Sequence, residues 1–156
     1  MRFSLLLFCA TLLSAADITI TEPWARATAP SAETGAIFAV ISNSGTTADE
    51  LTAASVAPSI AAHVEVHAHS KDAKGVMHMA PVASVSIPAG GKIELKPGSF
   101  HIMLFGLAKP LVEGQQIPVT FTFARAGRIE AQALIGGIAA SEAPTAVADC
   151  CAPLTK

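Results

Sequence analysis

Residues 62–69 read Ala62-His63-Val64-Glu65-Val66-His67-Ala68-His69, and they alternate between apolar and polar side chains without a break. Successive side chains of a β-strand point to opposite faces of the sheet, so this period of two predicts a strand with one apolar and one polar face. Val64 and Val66 belong to the apolar face, whereas three histidines and Glu65 share the polar face. We interpret Glu65 as a solvated strand residue.

The rest of the chain repeats this pattern in short runs that are separated by turns. Gly- and Pro-rich segments such as 88–91 and 96–98 favour tight turns. Seven to nine short strands, about 8–12 residues apart, predict an all-β domain, either a β-sandwich or a small barrel. The other β-type runs cover 18–20, 35–41, 51–56, 76–79, 82–87, 92–95, 100–105, 117–123 and 128–134.

The composition predicts one exported domain. The chain has 156 residues, of which 51% are hydrophobic and 14% charged, too apolar for a disordered protein. Residues 1–16 combine a basic start, a short apolar run and small residues at the end, which is typical of a cleaved signal peptide. We expect residues 17–138 to form the β domain and residues 139–156 to form a flexible tail.

Charge and hydropathy exclude two classes of partner. The formal net charge of −2 provides no basic surface, so we expect no nucleic-acid partner. A membrane-spanning helix needs about 20 apolar residues. Every apolar stretch here is shorter or is interrupted by charge, Gly or Pro, so we expect no stable membrane insertion.

Histidine and methionine are concentrated in one part of the sequence. All five His, and every Met except the initiator, lie between His63 and Met103. The short polar segment 70–75 predicts a hairpin between the strands before and after it, which would bring His67 near Met79. His101 and Met103 are two residues apart, so on a strand they project to the same side.

These donor types favour a soft metal ion. Thioethers are poor ligands for hard ions but suit Cu(I), and imidazole binds copper in either oxidation state. A set of two His and two Met without thiolate or carboxylate therefore indicates Cu(I) rather than Zn²⁺. His63, His69, His78 and Met77 are weaker candidates, for which solvated or supporting roles are more typical.

The sequence resembles the PCu(A)C (PCuAC) family of periplasmic copper chaperones. The family's metal motif is a His, ten residues, a Met, twenty-one residues and then His-x-Met. Here twenty-one residues separate Met79 from His101, and Met103 completes the motif, but eleven residues separate His67 from Met79. The extra residue falls in the predicted turn, and the residues before His67 favour it over His69 as the first ligand. Further similarity covers 24–28, 87–91, 95–98 and 103–107 within about residues 17–135.

This resemblance implies a cupredoxin-like Greek-key β-sandwich or barrel that binds Cu(I) through His67, Met79, His101 and Met103. It also implies a periplasmic protein that delivers copper toward the Cu(A) centre of cytochrome c oxidase, and we expect this protein not to be an enzyme. Subunit II of the oxidase or a Sco-type protein would be the acceptor.

Other interpretations remain open. A blue-copper electron carrier needs a Cys ligand, but the only cysteines after the leader are Cys150 and Cys151, in the tail. The sequence contains no hydrolase or metalloprotease motif that would indicate an enzyme. A copper storage or resistance protein would use the same donors, and a β-sandwich module without metal would use Met as core packing. The cysteine pair is either an oxidised pair without a catalytic role, a link between chains or an auxiliary copper site.

Overall fold

A computed structural model of the protein describes residues 17–71 and 74–144. The predicted signal peptide over 1–16 lies outside the described residues. So does the part of the predicted tail that contains Cys150 and Cys151. Within the described residues, no helix is long and apolar enough to cross a membrane.

The described chain is all-β, which confirms the predicted class, but it has more strands than the seven to nine expected. Every predicted run contains a strand or part of one, although the strand within the predicted run 82–87 begins three residues after the start of that run; most other strands extend one or two residues beyond the predicted run. Their bounds are β1 Ile18–Arg26, β2 Thr34–Asn43, β3 Asp49–Ser55, β4 Ala61–Lys71, β5 Met77–Pro81, β6 Val85–Ile87, β7 Lys92–Leu95, β8 His101–Leu107, β9 Gln116–Phe123 and β10 Gly127–Gly136.

Strand β1 is much longer than the predicted run 18–20. Its pairing with β2 shifts register between Thr21 and Trp24, and Glu22 in this bulge has a φ of 50°. A bulge accommodates a residue that leaves the ladder, and it also tolerates the proline at position 23. The strand therefore continues through a polar segment that contains a proline. The hydrophobic pattern alone predicts that the strand ends before this segment.

The strands form one sheet in the order β5-β4-β8-β2-β1-β10-β9-β3-β6, with β7 paired to β2. β1 runs parallel to β10, and the remaining neighbours are antiparallel. β2 has two partners on one side, because Thr34–Ile37 pairs with β8 and Ala39–Ser42 pairs with β7. The connection between β7 and β8, residues 96–100, lies at this fork.

The inward face of the sheet supplies the main core. Ile37, Ile41, Ile102 and Leu104 are fully buried there, at the alternate positions that a strand directs to one side. Burial of each such side chain contributes about 1.5–3 kcal/mol relative to leaving it exposed. This packing fixes which residues of β8 point outward, namely His101, Met103 and Phe105.

A second apolar cluster lies on the outward face. Trp24 and Phe38 are paired across β1 and β2, with ring centroids 4.6 Å apart, and both are buried. The Arg26 guanidinium lies 5.7 Å from the Phe38 ring centroid, and Arg26 Nε donates a hydrogen bond to the Ala140 carbonyl. Residues at the start of the predicted tail thus contact the domain beside Trp24.

Candidate metal site

The polar face of β4 forms the centre of a three-stranded surface. β4 pairs with β8 on one side and with β5 on the other. His67 is directly opposite His101, and Glu65 is directly opposite Met103. Residues that are directly opposite in an antiparallel pair project to the same face, so these four side chains share one side of the sheet.

The predicted hairpin between β4 and β5 forms, but its register differs from the expected one. His69, not His67, is opposite Met79, and His67 is opposite Pro81. A shift of two residues leaves every side chain on its original face, so alternation cannot distinguish the two registers. The structure therefore adds His69 to the residues next to Met79.

His101 presents one ring nitrogen toward a methionine sulfur. Its side chain is buried, and its Nδ1 lies 3.0 Å from the Ser99 carbonyl oxygen. Because a carbonyl only accepts, Nδ1 carries the proton and donates it. The neutral ring then has its lone pair on Nε2, which lies 3.1 Å from Met79 Sδ.

Burial lowers the pKa of His101 from its ordinary value, and the positive charges that His69 and His67 would carry act in the same direction. The hydrogen bond to Ser99 opposes these effects without cancelling them. A lowered pKa favours the neutral ring near pH 7. The Nε2 lone pair of His101 and the lone pairs of Met79 Sδ therefore face each other without a proton between them.

His67 is held by a carboxylate. Its Nε2 lies 2.7 Å from Glu65 Oε2, and the other carboxylate oxygen lies 2.9 Å from His63 Nε2. The hydrogen bonds from His67 and then from His63 lower the pKa of Glu65 below its ordinary value, so the carboxyl is ionised near neutral pH. The interpretation of Glu65 as merely solvated was incomplete, because it bridges two histidines of its own strand.

The second ring nitrogen of His67 is buried, and it has no hydrogen-bond partner among the described residues. Buried polar atoms are paired in the great majority of cases, so an unpaired one calls for an explanation. A metal ion bound to this atom would account for it. The unpaired atom, Nδ1, belongs to the residue predicted as the first metal ligand.

The imidazole rings of the site lie close together against aromatic side chains. The centroid of His101 is 5.0 Å from that of His69 and 6.0 Å from that of His67. Phe105 contacts His67 at a centroid distance of 5.9 Å, and Phe38 contacts His101 at 6.4 Å. These contacts pack the rings against Phe105 and Phe38 and connect the site to the Trp24–Phe38 cluster.

The methionines differ in exposure. Met79 is 48% exposed and Met77, on the same face of β5, is 54% exposed. Met103 is half-buried and lines a cavity of about 270 Å³ together with Ala36, Arg26 and Ile138. Met103 thus shares the outward face of β8 with His101, and it lines a cavity whose other lining residues include none of the site histidines.

The remaining candidates are placed less centrally. His63 is opposite Phe105 and exposed, and its ring centroid lies 6.1 Å from that of Phe105. His78 is opposite Ser70, which places it on the other face of the hairpin. Among residues 17–71 and 74–144, no group of three His, Cys, Asp or Glu side chains is arranged to hold a metal ion.

Comparison with known proteins identifies related sequences. The model of the family described as "Putative lipoprotein LpqE-like" matches residues 18–135. A curated relative, named "Putative lipoprotein Lxx21020", comes from Leifsonia xyli subsp. xyli (strain CTCB07) and is 57% identical over 37 residues. This alignment covers 24% of the present chain and 22% of the relative, so the chain matches about a fifth of that protein's length.

Solved structures share the fold over most of the chain. The apo PCuAC domain from PmoF1 is 27% identical with a TM-score of 0.67, covering 78% of this chain and 94% of that domain. The copper-bound PCuAC domain from PmoF2 is 21% identical with a TM-score of 0.65, covering 78% and 93%. The Cu(I) form of DR1885 from Deinococcus radiodurans is 24% identical with a TM-score of 0.55, covering 81% of each chain. These likenesses confirm the predicted cupredoxin-like fold.

Proposed function

The chain belongs to the LpqE-like family and has the fold of PCuAC domains, and on this premise we propose that it is a copper chaperone that carries Cu(I). His67, Met79, His101 and Met103 are the proposed ligands, with His69 next to them. Two of the similar solved structures are named as copper-bound or Cu(I) forms, which supports copper as the cargo.

The observation that carries the proposal is the contact between His101 and Met79. Two groups that only accept, the Nε2 lone pair and the thioether sulfur, lie 3.1 Å apart. Two facing lone pairs do not attract each other, so this contact becomes favourable only when both atoms bind the same positively charged ion. A soft cation fits, because thioether sulfur and neutral imidazole are ligands that Cu(I) accepts and that hard divalent ions do not favour as a pair.

The exposure of the site supports transfer rather than storage. Met79 is about half exposed, whereas His67 and His101 are buried. Neutral ligands leave the charge of bound Cu(I) uncompensated, which favours a position in contact with solvent. An acceptor with thiolate ligands would reach the metal from the Met79 side and bind it more strongly than a thioether does.

The proposal also specifies where the copper is delivered. Delivery toward the Cu(A) centre of cytochrome c oxidase follows from the resemblance to PCuAC chaperones, with oxidase subunit II or a Sco-type protein as acceptor. We place the chain in the periplasm after removal of residues 1–16. The word lipoprotein in the names of the family and of the Leifsonia relative supports export.

The test is anaerobic titration of the full-length mature chain with Cu(I), followed by X-ray absorption at the copper edge. We expect one tightly bound copper with two sulfur and two nitrogen neighbours. Met79→Leu and Met103→Leu should each remove one sulfur and weaken binding by about tenfold or more, while the fold, followed by circular dichroism, stays intact.

Met77→Leu is the matched control. Met77 lies on the same strand and the same face as Met79 and is similarly exposed, so its replacement should leave both the sulfur count and the affinity unchanged. Absence of bound Cu(I), or a copper environment without sulfur, would refute the proposal. An intense blue colour on oxidation would instead indicate a blue-copper carrier.

A further inference from the structure

We propose that Glu65 is a positioning residue that fixes the tautomer of His67, so that His67 binds copper through Nδ1. This inference rests on the proposed function, and it assigns a role to a residue outside the four proposed ligands. It also predicts that the two histidine ligands use different ring nitrogens, Nδ1 of His67 and Nε2 of His101.

The hydrogen bond between the two side chains determines which nitrogen carries the proton. Glu65 Oε2 lies 2.7 Å from His67 Nε2. An ionised carboxylate has no proton to give and only accepts, so the proton of this short bond belongs to Nε2. A neutral imidazole has one ring proton, and the lone pair is therefore on Nδ1.

The burial of Nδ1 supports the same assignment. This atom is inaccessible and has no hydrogen-bond partner among the described residues. Protonation of Nδ1 would bury an N–H donor that has no acceptor. An unpaired buried donor costs about 1–3 kcal/mol, and it costs more when the group is charged. An unprotonated Nδ1 has no N–H to leave unpaired, and when copper is present its lone pair binds the metal ion.

The carboxylate is itself held from its other side. Glu65 Oε1 accepts a hydrogen bond from His63 Nε2 at 2.9 Å, and both histidine rings pack against Phe105. The carboxylate is thus bound between two imidazoles of its own strand. Outer partners of this kind orient ligating histidines and raise their basicity, and their loss commonly weakens metal binding 10–100-fold.

The first experiment measures the tautomer of His67 in the metal-free, full-length mature protein. Long-range ¹H–¹⁵N correlation spectra of the ring distinguish a protonated nitrogen from one with a lone pair. We expect Nε2 to be protonated and Nδ1 to be bare. The opposite tautomer in the wild-type protein would overturn the proposal, and this measurement requires no variant to fold.

The second experiment replaces the carboxylate. Glu65→Leu removes the acceptor, so His67 should populate both tautomers and Cu(I) affinity should fall about 10–100-fold, while X-ray absorption still shows two sulfurs. Glu65→Gln keeps a carbonyl acceptor and should restore part of the affinity. An affinity of Glu65→Leu within about twofold of the wild type would overturn the proposal.

Glu94 provides the matched control. It lies on β7 and also bridges two side chains, with Oε1 3.2 Å from Lys92 Nζ and Oε2 2.9 Å from Lys96 Nζ. Glu94→Leu should leave the His67 tautomer and Cu(I) affinity unchanged. If the wild type itself binds no Cu(I), the proposed function fails; if it binds normally but Glu65→Leu does too, only the role of Glu65 fails.

Discussion

Two buried polar groups of this domain have opposite surroundings. The Asp49 carboxylate, at the start of β3, accepts backbone hydrogen bonds from Glu50 at 2.7 Å and from Arg125 and Ala126 at 2.9 Å each. The buried pair of His67 and His101 has instead an unpaired nitrogen and a nitrogen whose neighbour is a thioether. Both oxygens of the carboxylate are satisfied by the protein chain, whereas each histidine has only one ring nitrogen bonded to an oxygen of the chain.

This difference separates a polar group that the chain itself satisfies from a pair of side chains that we propose to bind copper. Burial alone would raise the pKa of Asp49, but the three backbone donors and the positive charge of Arg125 outweigh it and hold the pKa below its ordinary value of 3.8. Its charge therefore connects β3 to the β9–β10 turn. Each histidine of the pair has one ring nitrogen bonded to the protein, at Ser99 or at Glu65, and leaves the lone pair of its other nitrogen available to a ligand.

The largest expected effect is the loss of stability in Asp49→Ala. This change leaves the three backbone N–H groups without their acceptor, so the free energy of unfolding should fall by about 3 kcal/mol. Chemical denaturation measures it. Copper affinity of the folded variant should be unchanged, and a parallel loss of affinity would mean that the two regions are not independent.

The second-largest expected effect is the loss of Cu(I) binding in His101→Leu. It is the opposite of the Asp49→Ala effect, because affinity falls while stability is retained. Removal of a ligand should weaken Cu(I) binding by more than about a hundredfold, exceeding the effect typical of an outer partner. An apolar side chain of similar size fills the same buried space, and the Ser99 carbonyl keeps its hydrogen bond from the His69 backbone N–H, so the free energy of unfolding should change by less than about 1 kcal/mol. Competition with a Cu(I) chelator and denaturation measure the two quantities, and a large loss of stability would assign His101 to packing.

A smaller effect is the pH dependence that Asp49 confers. Because its pKa is lower in the folded than in the unfolded chain, its stabilisation is present above the unfolded value and is lost as the pH falls through the folded value. The difference in unfolding free energy between the wild type and Asp49→Ala should be constant near neutrality and should shrink below about pH 4. A constant difference down to pH 2 would contradict the role of the charge.

The smallest expected effect is that of His63→Gln. The side chain of His63 is 63% exposed, and Glu65 retains its bond to His67 without it. Exposed ion pairs contribute little, so Cu(I) affinity should decrease by less than about threefold in a chelator competition. A decrease as large as that of Glu65→Leu would show that His63 takes part in binding directly.

Alternation within single strands was sufficient to predict much of the site from the sequence. The faces of β4 and β8 are as expected, with Val66 and Ile102 inside and His67 and His101 outside. Same-face spacing could also have identified Glu65, which lies two residues from both of its histidine partners. It was missed because a carboxylate on a strand surface is usually solvated.

The parts that the sequence did not predict depend on contacts between distant segments. The pairing of His69 with Met79 is set by hairpin register, which a shift of two residues changes without altering the pattern. Asp49 bonds to backbone atoms 76 and 77 residues away, and no local pattern encodes them. The outward cluster of Trp24 and Phe38 similarly depends on the bulge in β1.

The two proposed histidine ligands are fixed by different kinds of acceptor, a main-chain carbonyl at Ser99 and a side chain at Glu65. A single codon change can remove the carboxylate, but no codon at position 99 encodes a residue without a carbonyl. In evolutionary terms, the orientation of His101 is inherited together with the fold, whereas that of His67 is open to selection. Under the proposed role of Glu65, a change at position 65 would therefore adjust copper affinity while leaving every proposed ligand in place.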